Sequence, residues 1–227
     1  MFRQSQIRGV TEARKDRRPI GLRQNTWVRA TAAWLTRAGI RPNHISILSV
    51  VFAALSAACF VLAATADAGW RSVWFLAAAG FIPPRGLCNL CDGLMAIEGG
   101  LKTKSGELFN DLPDRISDSL VLVAAGHSIT WGGWGPELGW AAGLLAVLTA
   151  YVRVLGGCAG ASQQFCGPMA KTHRMVVIGA ACVAAAVESA LGWTDRAMTV
   201  ALAVVAVGSV VTITRRTVRI AKQLESA

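Results

Sequence analysis

The sequence predicts an all-α fold: a polytopic membrane protein with six transmembrane helices, an N-terminal amphipathic interfacial helix and both termini in the cytoplasm. Three observations predict it. The 227 residues are 53% hydrophobic and only 16% charged, whereas soluble domains usually carry about 25% charged residues. Six apolar stretches reach the ~20 residues an α-helix needs to cross a bilayer. Lys and Arg are concentrated in alternate connections, which is the pattern that sets orientation.

Residues 1–40 read as a cytoplasmic segment, polar and Arg-rich, and not as a cleavable signal peptide. Within it, residues 21–39 place Trp27, Ala30, Trp34 and Leu35 on one helical face. Arg29 falls opposite and Arg37 at the edge, while Arg23 lies at the helix start, where it can snorkel. That pattern predicts an amphipathic helix lying on the inner leaflet. "RPNH" at 41–44 then turns the chain into the membrane domain, residues 41–227.

The six spans are expected at about 45–66, 72–97, 107–127, 138–159, 175–192 and 197–214. The second is the least regular. Pro83 and Pro84 interrupt it and should kink it, because proline removes a helical hydrogen bond and clashes with the preceding turn. The third begins in an acidic stretch. Small-residue faces at 141–146 and 156–161 allow close helix packing, within the chain or in a homodimer.

Orientation follows from the connections. Ten Lys and Arg residues lie within the first 41 positions; Lys102 and Lys104 follow the second span, Lys171 and Arg174 the fourth, and Arg215, Arg216, Arg219 and Lys222 the sixth. The opposite connections hold only Arg71 and Arg196. Positive-inside alternation therefore places the acids at the cytoplasmic ends of the second and third spans. The net charge of +10, clustered beside apolar segments, favours an anionic lipid surface over nucleic acid. The six cysteines show no extracellular framework, and Cys88–Cys91 reads as helix packing and not as a metal or redox pair.

Ionisable side chains inside a membrane bundle are functional candidates by default. Asn89, Asp92 and Ala96 share a helix face at i, i+3 and i+7, with Gly93 beside Asp92 leaving room for close approach. Asn110, Asp114 and Asp118 share another at i, i+4 and i+8, and Glu107, Asp111, Asp114 and Asp118 form a second stripe. An antiparallel hairpin of the second and third spans would bring Asp92 and Asp114 together. Converging oxygen ligands suit a hard divalent cation, and such a cation beside carboxylates commonly handles phosphates.

The stretch resembles the CDP-alcohol phosphatidyltransferase family, whose motif reads D-x-x-D-G-x-x-A-R, about eight residues, then G-x-x-x-D-x-x-x-D. Asn89, Asp92, Gly93, Ala96, Ile97, Gly106, Asn110 and Asp114 occupy these positions with every spacing kept. Asn stands at the first and third acid positions and Ile at the Arg position. The "RPNHIS" entry at 41–46 and the six-helix topology also resemble the family, so the likeness covers most of residues 41–215.

The resemblance implies an integral membrane phosphotransferase of phospholipid biosynthesis, in the bacterial inner membrane, with its site facing the cytoplasm. A CDP-linked lipid such as CDP-diacylglycerol would donate a substituted phosphate to an alcohol or alcohol-phosphate acceptor, releasing CMP. It implies one or two Mg²⁺ or Mn²⁺ ions at Asp92, Asn89 and Asn110, with Asp111 as a further ligand. Asp92, Gly93, Ala96 and Gly106 would form the nucleotide site, and Asp114 would be the general base. Arg85 or Lys102 would stand in for the missing motif Arg. Arg153, Lys171 and Arg174, all at the cytoplasmic face, are candidates for an acceptor phosphate or for simple topology charges. Two other readings remain: a family member that binds nucleotide or lipid without turnover, and an ion path. The second fits less well, because the acids gather at one end.

Overall fold

The computed structural model describes residues 25–100, 105–193 and 196–226. The basic segment before residue 25, Arg23 included, and the loop residues Lys102 and Lys104 lie outside these, as do the side chains of Ile97, Glu98 and Glu107. The described residues form seven helices and no strand: α1 (Thr26–Arg37), α2 (Pro42–Thr65), α3 (Ala68–Glu98), α4 (Gly106–His127), α5 (Gly135–Cys158), α6 (Lys171–Ala190) and α7 (Arg196–Glu225).

Local chemistry explains several boundaries. Pro42 opens α2 at its first position, where the missing N–H would have had no helical partner. Asp67 caps α3 by accepting from the Trp70 N–H at 3.1 Å. Both carboxylate oxygens of Glu188 accept from the Ala197 N–H at the start of α7. Helix α3 runs on through Pro83 and Pro84, and α4 through Pro113. Four helices, α2, α5, α6 and α7, are long and apolar enough to cross a membrane. Helices α3 and α4 are of comparable length, 31 and 22 residues, but carry most of the helical carboxylates, Asp92, Glu98, Glu107, Asp111, Asp114 and Asp118.

The helices from α2 onward alternate in direction and close into a ring in the order α2, α3, α6, α7, α5, α4. The expected direct hairpin is not what forms. Helix α2 packs on both α3 and α4, which touch each other only sparingly. Asp92 and Asp114 therefore reach one end of the bundle from helices on either side of α2.

Burial runs opposite to a soluble protein. The interior is rich in small side chains, among them Ala53, Ala57, Ala78, Ala125, Ala142, Ala146, Ala181 and Ala185, with Phe60 and Phe75 packed edge to face. The exterior carries Leu55, Leu144, Leu155, Val183, Val204 and Val207 in exposed positions. Small residues let helix backbones approach, and large apolar ones face the lipid. The approach is closest between α4 and α5: a Cβ on Gly139 would lie 2.9 Å from the Gly126 Cα. The small faces at 141–146 and 156–161 serve packing within the chain, Gly143 against Val123 and Gly156 against Ile220.

Seven of the eight tryptophans are exposed in two groups. Trp70, Trp131, Trp134, Trp140 and Trp193 surround the end opposite the acids, and Trp27 and Trp34 lie on α1 at the acidic end. Tryptophan concentrates at both membrane–water interfaces, so the two groups mark the edges of an apolar band. Helix α1 buries Val28 and Ala32 against Cys88, Cys91, Leu94 and Met95 of α3, with Leu35 packed beside them. Trp27, Ala30 and Trp34 remain on its exposed face.

Candidate active site

At the acidic end the ring interior changes from apolar to ionic. Asp118 on α4 is 1% exposed and sits between two arginines that are equally buried. Arg85 Nη2 of α3 donates to Oδ1 at 2.5 Å, and Arg174 Nη2 of α6 donates to Oδ2 at 2.7 Å. Arg174 also donates to Thr149 Oγ1 of α5 and to the Met169 carbonyl. Arg216 of α7 completes this layer by donating to the Thr149 carbonyl at 2.5 Å and to the Cys166 carbonyl at 3.0 Å. One carboxylate thus ties α3, α4 and α6 together, and Thr149 extends the network to α5 and α7.

One turn earlier on α4, Asp114 Oδ1 forms an ion pair with Lys171 Nζ. Lys171 is the first residue of α6, so its side chain reaches the centre of the ring from the helix end. Asp92 on α3 lies within electrostatic range of both Asp114 and Lys171. Its Oδ2 accepts from Ser46 Oγ at 2.6 Å, whereas Oδ1 is buried with no hydrogen-bond partner. Asn89, one turn earlier on α3, has a buried Nδ2 that also lacks a partner. Buried polar atoms without partners are uncommon, and these two lie on adjacent turns of one helix.

The remaining candidates lie around this centre. Gly93, Ala96 and Gly106 are half-buried and Asn110 is exposed. Asp111 lies at the rim, where Arg153 and Arg115 both pair with its Oδ1, at 2.8 and 2.9 Å. Arg153 also donates to Gln163 Oε1 at 2.6 Å and lies over the Phe165 ring. The structure thus brings Asp92, Asp114 and Lys171 together and gives Asp111 and Arg153 to each other. Arg174 and Arg85 are held in the Asp118 pair, so neither side chain is spare. Lys102 lies outside the described residues.

Ser46, Thr149 and Arg216 were not singled out by sequence reasoning. Ser46 had a signal, since it closes the "RPNHIS" entry and lies one helical turn after Pro42. Arg216 had none, because it reads as one more basic residue of the tail.

The oxygen donors around Asp92 suit a divalent cation. Asp92 offers a free carboxylate oxygen, Asn89 an amide whose oxygen and nitrogen exchange by rotation, and Asp114 a second carboxylate. Hard oxygen donors of this kind fit one ion. Among the described residues no three His, Cys, Asp or Glu side chains group as ligands.

No protein-family profile and no curated protein sequence matches this chain. Solved structures do. Mycobacterium tuberculosis phosphatidylinositol phosphate synthase (PgsA1) with CDP-DAG bound is 19% identical, with a TM-score of 0.69 over 87% of this chain and 92% of that one. The same enzyme in complex with manganese and citrate is 20% identical, with a TM-score of 0.69 over 85% and 88% of the two chains. Its apo form is 22% identical, with a TM-score of 0.63 over 82% and 92%. The chain shares the fold of that membrane enzyme along nearly its whole length.

Proposed function

We propose that the chain is an integral membrane phosphotransferase of the CDP-alcohol phosphatidyltransferase type. It transfers a substituted phosphate from a CDP-linked lipid, CDP-diacylglycerol being the favoured donor, to an alcohol or alcohol-phosphate acceptor and releases CMP. The observation that carries this reading is the buried group of Asp92 and Asp114, the two acids kept at motif spacing, within reach of each other in a shared fold. The neighbour's CDP-DAG and manganese complexes support the donor and metal classes. In this reading all six helices of the ring span the membrane, and the positive-inside bias directs the site to the cytoplasm of a bacterial cell.

The residues divide the work as follows. Asp114, paired with the Lys171 ammonium, accepts the proton of the acceptor hydroxyl. The hydroxyl oxygen forms a bond to the β-phosphorus, and the bond from that phosphorus to the bridging oxygen breaks. CMP leaves with the electron pair. Gly93, Ala96 and Gly106 leave room for the nucleotide. Arg153 and Arg115 share one acid, so the rim keeps an excess positive charge suited to an anionic acceptor. Mg²⁺ or Mn²⁺ at Asp92 and Asn89 would neutralise charge on the donor's pyrophosphate.

The test is incubation of purified protein with CDP-diacylglycerol, Mg²⁺ or Mn²⁺ and a pool of alcohols, followed by mass spectrometry for new phospholipids and CMP. Asp92→Asn and Asp114→Asn should each lower CMP release by about 10²-fold or more. Unchanged turnover in both variants would refute the mechanism. A second reading is favoured by Asn89, Asn110 and Ile97 at motif positions: a chain that binds the CDP-linked lipid without turnover. CMP release on the order of 1 s⁻¹ rules that reading out, and donor binding without release establishes it.

A further inference from the structure

From the ionic layer at the acidic end we infer that Lys171 is a built-in cation that replaces one divalent ion, so that the site takes a single Mg²⁺ or Mn²⁺. The inference rests on the metal's place at Asp92 in the reading above. Its foundation is the charge count. Among the described residues of the ionic layer, Asp92, Asp114 and Asp118 supply three negative charges, and Lys171, Arg85, Arg174 and Arg216 supply four positive ones. The cations therefore already outnumber the acids before any ligand enters.

Charge buried in a low-dielectric interior must be compensated. One divalent ion adds two positive charges, and the pyrophosphate of a CDP-linked donor, with one negative charge on each phosphate, cancels them. A second divalent ion would leave two further positive charges without partners in the bundle. Ligand supply leads to the same count. Asp114 Oδ1 is taken by the Lys171 ammonium, Asp118 uses both oxygens on arginines, and Asp111 Oδ1 is shared by Arg115 and Arg153. Among the described residues, the carboxylate oxygen that is buried and unpartnered, apart from the one facing Lys171, is Asp92 Oδ1. Ser46 holds the other oxygen of that carboxylate, and Asn89 adds an amide one turn away. These are ligands for one ion. Asn at the first and third acid positions is the matching change: two carboxylates fewer offset one divalent cation fewer.

The test is a Mn²⁺ titration of the purified full-length chain in detergent, with free Mn²⁺ read by electron paramagnetic resonance, with and without CDP-diacylglycerol. The wild type should bind one Mn²⁺ per chain, without the dipolar broadening of a coupled pair. Lys171→Met, which removes the resident charge, should bind a second ion at high Mn²⁺ and show that broadening. Lys171→Arg keeps the charge and should still bind one. Two ions in the wild type or in the Arg variant, no specific ion in the wild type, or one ion in a folded Met variant would each overturn the inference. The wild-type count stands even if the Met variant fails to fold. It also separates the two readings: one ion without CMP release leaves this inference intact and drops the transferase, and CMP release with two ions does the reverse.

Discussion

The two ends of the helical ring both bury charge, and they use it differently. At the tryptophan-rich end, Arg71 is 8% exposed and donates to the Ala63 carbonyl at 2.9 Å and the Ser128 carbonyl at 2.6 Å, while its guanidinium lies over Phe75. Glu188 there accepts from the first turn of α7. Each charge closes a helix end by satisfying backbone groups that the helix leaves unpaired. At the acidic end, charges pair mainly with charges from other helices, and Asp92 Oδ1 and Asn89 Nδ2 have no partner. The first arrangement finishes a structure. The second holds one ready for a ligand, at a cost that only binding recovers.

That contrast is open to attack by mutation. The largest effect is expected from Asp118→Ala, which leaves Arg85 and Arg174 buried beside each other without their carboxylate. Breaking a buried pair in this way costs about 3–5 kcal/mol, so thermal unfolding in detergent should show a marginal or unfolded chain. Arg71→Ala tests the opposite end. It removes charge-assisted hydrogen bonds to two carbonyls and should cost about 2–3 kcal/mol, yet leave the rate of CMP release by the folded fraction unchanged. A comparable loss of that rate would show that the two ends are not functionally separate. Gly139→Ala should cost about 1–3 kcal/mol, because the added methyl meets the Gly126 backbone, which has no flexible side chain to move. Its effect should likewise appear in stability and not in turnover.

The comparison also explains what was legible in the sequence. Helix positions were, because apolar length and Pro or acidic starts are local properties: α2 opens at the Pro42 of "RPNH", and α4 opens at Gly106, one residue before the expected start at 107. The candidate centre was partly legible, since Asp92 and Asp114 keep a fixed spacing and their burial follows from the spans around them. The cations that serve the acids were not. Arg215 and Arg216 are neighbours in the tail, yet one is exposed and the other 5% exposed with its guanidinium on the Thr149 carbonyl. Only the packing of α7 against α5 separates them. The order of the ring was hidden for the same reason. Consecutive helices usually neighbour one another, but α2 packs between α3 and α4, and Ser46 gains its role at Asp92 by that placement. The Ala and Gly stripes were ambiguous too, since a small-residue face reads alike whether its partner is another helix of the chain or another chain.

The counter-ions are also separated along the chain. Asp118 finds Arg85 on the helix made just before its own, but the Lys171 that pairs with Asp114 comes two helices later, after α5 and the loop that follows it. In chain order, therefore, Asp114 precedes the ammonium that faces it by a whole helix and its loop. It gains that partner only when α6 packs into the ring, so this ion pair and closure of the ring depend on the same late helices.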